Sequence, residues 1–197
     1  MSASTGRPRR AGVDETVLAA TLDLLATHGY TGLRINDVAD AAGVAKTTIY
    51  RRWPSLAHLA VAAVERALGD RTTAPTGDPL ADLERLVTTA VAGLAANGAS
   101  LVAIAQDIHR QADPELRSAY RQRIIDPVRE PAITLVQSAI DRGLLSAAAQ
   151  PADLVDAAIG AVLYRVAVLG EPLDADHVTA LAGRLLASWR RDGARDI

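Results

Sequence analysis

Small hydroxyl groups and cations are concentrated in one short segment around residue 50. The side chains that lie away from the apolar positions of this segment are Lys46, Thr47, Thr48, Tyr50, Arg51 and Arg52. Threonine and arginine can hydrogen-bond to base edges in a DNA major groove, whereas lysine and tyrosine suit phosphate oxygens. We therefore expect the two threonines and Arg51 to contact bases, and the other three side chains to contact phosphates.

Two short helices and a tight turn would position these side chains. Apolar residues recur at the spacing of one helical face at Ile35, Val38, Ala39 and Ala42. Gly43 follows where a helix can end in a left-handed residue, so the predicted turn is Ala42-Gly43-Val44. Ala45, Ile49 and Trp53 are four residues apart and would form the inner face of the second helix. Periodicity alone also allows an ordinary helical hairpin with a solvated face.

The residue string extends this interpretation. Residues 29–59 read GYTGLRINDVADAAGVAKTTIYRRWPSLAHL, which resembles the DNA-binding signature of the tetracycline-repressor (TetR) family of bacterial transcription regulators. The resembling motifs are Gly29-Tyr30, Asp37-Val38-Ala39, Ala42-Gly43-Val44, Lys46 to Tyr50, and Trp53 with Leu59. The resemblance implies an all-α, homodimeric, ligand-responsive repressor on a palindromic double-stranded DNA operator. A helical partner-binding dimer and an activator without an effector stay open as alternatives.

The chain departs from the family pattern at both helix starts. Where the family usually has Ser or Thr, this chain has Arg34 and Ala45. Losing a capping side chain costs about 1 kcal/mol, and a cation is mildly unfavourable beside a helix N-terminus. We therefore expect Arg34 to contact a DNA phosphate, with a solvated arginine as the alternative.

Composition sets limits on the class of protein. The 197 residues carry a formal net charge of −2 and no cysteine, which excludes disulfides and thiolate metal sites and fits a reducing cytosol. No apolar run approaches the ~18 residues of a membrane span, so we expect a cytoplasmic protein without a membrane partner. The charge is uneven, since residues 1–71 sum to +2 and residues 72–197 sum to −4.

Helix start and stop signals suggest the domain organisation. We expect a flexible basic arm at 1–12, a three-helix helix-turn-helix DNA-binding domain with its connecting helix at 13–69, and an effector-binding and dimerisation domain at 78–197. Asp-Pro and Gln-Pro starts and glycine stops predict helices in the second domain at about 78–97, 99–111, 114–142, 151–169 and 174–191. This makes about nine helices in all. Pro127 and Pro131 should kink or break the third of these near Asp126.

The last two helices carry more apolar surface than one core readily uses. A symmetric dimer interface, which the resemblance also implies, would use it; a well-buried core helix is the alternative. The predicted interface residues are Val155, Ile159, Val162, Val166, Val178, Leu181, Leu185 and Trp189.

An effector would bind between helices of the second domain. Polar side chains beside apolar stripes there are Thr88, Gln106, His109, Tyr120, Arg123, Tyr164 and Arg165. For each of them, a core contact or an ion pair is the alternative. Because aromatic side chains are scarce, a small aliphatic or weakly acidic ligand fits better than a cation. The resemblance implies that the ligand shifts helix 99–111 against helix 55–68 and so changes the separation of the recognition helices.

The sequence does not favour an enzyme. Asp107 and His109 are two apart in a predicted helix and cannot face one another. The other histidines lie in separate segments, and no phosphate-binding loop, nucleophile elbow or metal motif is recognisable. We therefore expect neither catalysis nor a metal or cofactor.

Overall fold

The computed structural model describes residues 8–148, 150–171 and 175–189, without some of the helical side chains. Within these ranges the regular structure is helical and comprises nine α-helices and one π-helical segment. The helices are α1 (Pro8–Gly32), α2 (Ile35–Ala42), α3 (Lys46–Tyr50), α4 (Leu56–Leu68), α5 (Pro79–Arg110), α6 (Pro114–Tyr120), α7 (Asp126–Asp141), α8 (Pro151–Ala167) and α9 (Ala175–Trp189), with the π-helical segment Arg121–Ile125 after α6. The predicted all-α class is confirmed.

Helix α1 begins inside the predicted flexible arm. It starts at Pro8, and proline suits a first helical turn, where its missing N–H is not needed. The expectation of an unstructured arm therefore does not hold for residues 8–12, and residues 1–7 lie outside the described part. Gly29, with φ 64° and ψ 178°, interrupts the helix before a last turn at Tyr30–Gly32.

The turn between α2 and α3 follows the prediction. Gly43 has φ 64° and ψ 34°, and the backbone N–H of Val44 donates to the carbonyl of Ala39 at 3.0 Å. This left-handed end satisfies carbonyls of the last helical turn. Arg34 and Ala45 each precede their helix without a side-chain capping hydrogen bond, which confirms the two missing caps.

The chain divides into two compact units, and the division is not sequential. The first unit combines residues up to Ala67 with Ala103–Ile124, and the second combines Leu68–Val102 with the chain from Ile125 onward. The first unit thus takes in more chain than the predicted DNA-binding domain of residues 13–69. Its fully or almost fully buried side chains include Val17, Leu25, Leu33, Val38, Ile49, Leu59, Ile108 and Leu116.

Helix α5 runs unbroken for 32 residues, so the predicted stop at Gly98 was wrong. Glycine lowers helix stability by only about 1 kcal/mol relative to alanine. Good helix formers on both sides can offset this cost, and a glycine ends a helix only where the backbone turns left-handed.

The second unit has its own apolar core. Its buried members are Leu83, Leu86, Ala132, Val136, Ala139, Leu145, Leu154 and Val155. Arg129 of α7 donates from Nε and one terminal nitrogen to the two carboxylate oxygens of Asp156 in α8, at 2.8 Å each. The π-helical segment ends at Ile125, immediately before Asp126-Pro127, and this confirms the predicted interruption. Proline lacks the N–H that a continuous helix would use there. Among the described residues, no helix is both long and apolar enough to cross a membrane.

Candidate nucleic-acid interface

Helix α3 presents a polar surface on an apolar anchor. Ile49 is fully buried and Trp53 is 9% exposed, whereas Lys46 and Thr47 are exposed and Tyr50 is 53% exposed. Two further predicted contact residues complete the surface: Thr48 is half-buried and Arg51 is exposed. The helix itself ends at Tyr50, and Arg51 continues its last turn with φ −67° and ψ −21°. Five of the predicted DNA contacts therefore have polar groups available on or directly after one helix.

Arg52 differs from these five because its guanidinium is engaged inside the fold. The side chain is 18% exposed, and its Nε forms an ion pair with Oδ1 of Asp14 in α1. One terminal nitrogen donates to the backbone carbonyl of Thr48 at 3.1 Å. The predicted phosphate contact of Arg52 therefore competes with two contacts within the protein.

Arg34 is exposed but also has partners in its own chain. Its Nη1 donates to the carbonyl of Thr31 at 2.6 Å and to the carbonyl of Leu33 at 2.9 Å. Cationic side chains are favourable beside helix C-terminal carbonyls. Arg34 thus stabilises the end of α1, which gives a structural reason for arginine at this position. Its predicted phosphate contact stays a prediction.

Sequence reasoning missed a group of polar contacts that join Tyr30 to residues 103–124. The backbone N–H of Tyr30 donates to Asp107 Oδ2 at 2.6 Å, and its hydroxyl donates to Asp113 Oδ2 at 3.1 Å. Burial, followed by the hydrogen bond to Asp113, raises the pKa of the Tyr30 phenol above its ordinary value. The Gly29-Tyr30 motif was visible in the sequence, but its partners lie 77 and 83 residues away.

Helix α4 and Ser55, the residue before it, make similar contacts with α6 and the π-helical segment. Ser55 Oγ donates to Glu115 Oε1 at 3.0 Å, and His58 Nδ1 lies 3.2 Å from the same oxygen. Farther along α4, Glu65 forms an ion pair with Arg123. The first unit therefore holds residues 103–124 to both α1 and α4 through side-chain contacts.

The seven predicted ligand-binding residues are divided between the two units. Gln106, His109, Tyr120 and Arg123 belong to the first unit, and Thr88, Tyr164 and Arg165 belong to the second. Only part of the predicted group is brought together. The His109 and Tyr120 rings meet edge to face with centroids 5.7 Å apart.

Several members of that group already have a partner or are exposed to solvent. Arg123 is paired with Glu65, and Arg165 is paired with Glu171, as the ion-pair alternative anticipated. Tyr164 is 55% exposed. Thr88 lines an open cleft of about 380 Å³ together with Thr73, Ala74, Glu84, Arg85 and Thr89.

The predicted dimer residues also separate into two groups. Val155 and Val162 are buried in the chain's own core clusters, and Val166, Leu181 and Trp189 pack against those clusters in partly buried positions. Ile159 is 37% exposed. Val178 and Leu185 lie outside the residues whose side chains are described. Exposed apolar side chains next to the predicted stripe are Leu163 (40%), Tyr164 (55%), Val168 (65%) and Leu169 (48%).

Two family models match most of the chain. Residues 17–63 match the model described as bacterial regulatory proteins, tetR family, and residues 73–185 match the tetracyclin repressor-like C-terminal domain. The chain belongs to the TetR family. It is a DNA-binding transcriptional regulator of that family, and α2, the Gly43 turn and α3 form its helix-turn-helix.

Similar proteins agree with this assignment over most of their length. An uncharacterised helix-turn-helix transcriptional regulator of Mycobacterium tuberculosis is 32% identical over 166 residues, which cover 84% of this chain and 81% of the relative. The DNA-binding transcriptional repressor TetR of Mycobacteroides abscessus is 29% identical, with 91% of this chain and 94% of the relative covered.

Solved structures show the same architecture. A TetR family transcription regulator with 33% identity superposes with a TM-score of 0.57, covering 91% of this chain and 99% of that one. The fatty acid degradation regulator FadR from Bacillus halodurans shares the fold with a TM-score of 0.70 at 20% identity, covering 89% and 99%.

Proposed function

We propose that this TetR-family regulator is a ligand-responsive repressor that binds a palindromic operator as a homodimer. The observation that carries the proposal is the exposed polar surface of α3 above the buried Ile49. Such a helix can enter a major groove, and two copies related by a two-fold axis read a palindrome. A repressor role is supported by the Mycobacteroides abscessus relative, which is named a DNA-binding transcriptional repressor. A protein that regulates bacterial DNA would act in the cytoplasm, where that DNA lies.

Selection of bound sequences from random DNA tests this proposal directly. The expected product is a two-fold symmetric site whose half-sites lie about one helical turn or a multiple of it apart. Thr48→Ala and Tyr50→Ala should weaken binding to the selected site with the helical content unchanged. Thr27→Ala is a matched control, because Thr27 is an exposed threonine of α1 whose hydroxyl bonds only to its own helix at Asp23. If no symmetric site emerges, the alternative of a partner-binding helical protein is favoured.

The exposed apolar side chains of α8 form a surface that a second copy of the chain could cover. Ile159 and Leu163 lie on the same side of α8 as Gly160, where an added methyl group would meet nothing within 4 Å. A small residue between apolar ones allows close approach of a partner helix, because the distance between helix axes depends on the side chains at the contact. The proposed interface therefore uses a different side of α8 from the predicted apolar stripe, because Val155 and Val162 of that stripe are buried in the chain's own core.

Sedimentation of two variants distinguishes an interface from a core. Leu163→Arg should yield folded monomers that bind the operator poorly, because a guanidinium would be buried without a partner. Val162→Arg should instead lower the free energy of unfolding, since Val162 is 6% exposed within one chain. A stable Leu163→Arg dimer would remove the proposed interface.

Ligand response would depend on α5, which runs from the second unit into the first. Because residues 103–124 are held to α4 by Ser55, His58 and Glu65, a displacement of α5 would be passed to α4 and hence to α3.

The proposed ligand is small and aliphatic or weakly acidic, since only 3% of residues are aromatic. Operator release can be compared for decanoic acid and tetraphenylphosphonium. Release by the cation alone would contradict the proposed ligand class, and transcription that requires the protein would favour an activator.

A further inference from the structure

The recognition helix α3 has little stability of its own. It contains five residues, and Ala45 before it provides no side-chain cap. Isolated helices shorter than about 12 residues are marginal in water. The position of α3 must therefore be set by contacts with the rest of the first unit, and Ile49 and Trp53 provide only its apolar anchors.

Arg52 makes the polar contacts that fix the end of this helix. Its Nη1 donates to the carbonyl of Thr48, one of the carbonyls that α3 leaves without a helical partner, at 3.1 Å. Its Nε is paired with Asp14, which lies in α1 and 38 residues earlier in the chain. At 18% exposure, the Arg52 side chain is less accessible than the half-exposed Tyr50.

We propose that Asp14 is a positioning residue for operator recognition, which acts by holding Arg52 and thereby the orientation of α3. Arg52 then contributes to specificity as a structural link and makes no DNA contact of its own. This inference rests on the proposed operator binding. It assigns a role to a carboxylate that neither the helix-turn-helix pattern nor the predicted contact residues include.

The sign of one measurement separates this role from a phosphate contact. If Arg52 bound phosphate, neutralising Asp14 would release the guanidinium and remove a negative charge, so DNA binding would become tighter. If Asp14 positions α3, the same change loosens the helix and weakens binding to the specific site. Binding to unrelated DNA, which depends on charge, should stay equal or rise in both cases.

The adjacent residue provides a matched control. Glu15 forms an ion pair with Arg66 of α4, with 64% and 42% of the two side chains exposed. Exposed pairs contribute little to stability. Glu15→Gln therefore makes the same change in charge one residue away and leaves the contact between Asp14 and Arg52 intact.

The experiment compares Asp14→Asn, Glu15→Gln, Arg52→Gln and the double variant Asp14→Asn/Arg52→Gln on the selected operator. Asp14→Asn should weaken specific binding about tenfold, which corresponds to about 1.4 kcal/mol, with an unchanged salt dependence. The double variant should be no weaker than Arg52→Gln alone. Equal or tighter binding by Asp14→Asn relative to Glu15→Gln would overturn the inference. A further loss in the double variant relative to Arg52→Gln would show that Asp14 acts independently of Arg52 and would also overturn the inference. A salt slope shallower by about one ion in Arg52→Gln would assign Arg52 to a phosphate instead.

Amide hydrogen exchange tests the same link without DNA. The amides of Arg52 and Trp53, which donate to the carbonyl of Ile49 at 2.9 Å each, should exchange faster in Asp14→Asn than in Glu15→Gln. Equal exchange in the two variants would contradict the positioning role even if the operator binds. If wild-type protein selects no operator, the proposed function fails while the exchange result still decides the link. Arg52→Lys, which keeps the charge but cannot make both contacts, replaces Asp14→Asn if that variant does not fold.

Discussion

Gly29 and Gly43 have the same φ but should respond very differently to substitution by alanine. Both have φ 64°, but ψ is 178° at Gly29 and 34° at Gly43. A methyl group at Gly29 would lie 3.0 Å from Asp107 Oδ2, whereas a methyl group at Gly43 would meet nothing within 4 Å. Gly29 therefore combines a less accessible backbone conformation with a steric conflict, whereas Gly43 has backbone strain alone.

The expected costs can be worked out from these surroundings. At Gly43 the left-handed conformation costs about 1–2 kcal/mol for a residue with a Cβ. A less flexible unfolded chain offsets about 0.4–1 kcal/mol of this, so the net loss is about 1 kcal/mol. The conformation of Gly29 is almost exclusive to glycine and costs about 1–3 kcal/mol. Displacing Asp107 from the Tyr30 N–H adds about 1 kcal/mol, and the less flexible unfolded chain again offsets about 0.4–1 kcal/mol, so Gly29→Ala should lose about 2–3 kcal/mol.

Urea unfolding with Trp53 as the only reporter measures this difference. In a Trp189→Phe background the remaining tryptophan is Trp53, which is buried in the first unit. The urea concentration at the midpoint should fall further for Gly29→Ala than for Gly43→Ala. Multiplied by the m value, the slope of the unfolding free energy against urea concentration, the difference should be about 1.5 kcal/mol. Gly29→Ala and Asp107→Ala should also be less than additive, because they act on the same contact. Equal losses at the two glycines, or full additivity, would refute the steric part of the reasoning.

Three further predictions concern stability. Ile49→Ala should lower the free energy of unfolding by about 2–4 kcal/mol, because it leaves a cavity under α3; a loss below about 1 kcal/mol in urea unfolding would show that this side chain is not a core anchor. Burial and the hydrogen bond to Asp113 raise the pKa of Tyr30 in the folded protein, so the stabilising effect of Tyr30 is present below the ordinary tyrosine pKa. This effect is lost as pH rises through the raised pKa of the folded protein. Tyr30→Phe should therefore flatten the alkaline part of the plot of unfolding free energy against pH. Hydrogen bonds from the Thr76 hydroxyl and backbone lower the pKa of Asp82, so the contribution of Asp82 to stability is present above the ordinary aspartate pKa and is lost as pH falls through the lowered pKa. If the acid part of the plot of unfolding free energy against pH is unchanged in Asp82→Asn, this reasoning is contradicted.

The helix-turn-helix could be predicted because its signals are local. The apolar spacing in α2, the left-handed Gly43 and the missing caps all depend on residues within a few positions of one another. The departure from α-helical geometry before Asp126 was predictable for the same reason, since proline acts on its own helical turn. Gly98 shows the limit of such signals, because a glycine at this position suggests the end of a helix but lies inside α5.

Partners far apart in sequence could not be predicted in the same way. Arg34 and Arg52 were visible as cations, but periodicity does not show that one donates to carbonyls of α1 and the other is paired with Asp14. Similarly, the stripe through Val155 and Val162 was recognised as apolar, but the sequence cannot say whether a second copy or the chain's own core covers it.

The sequence by itself determined the helical class, the DNA-reading motif and the residue types on α3, because helix periodicity and glycine conformation are short-range properties. Only the tertiary structure decided that residues 103–124 join the first unit, where Asp107, Asp113 and Glu115 contact Tyr30, Ser55 and His58. The physical reason is that these hydrogen bonds join residues 60, 77 and 83 positions apart in the sequence, and periodicity and turn signals record only relations between neighbouring residues.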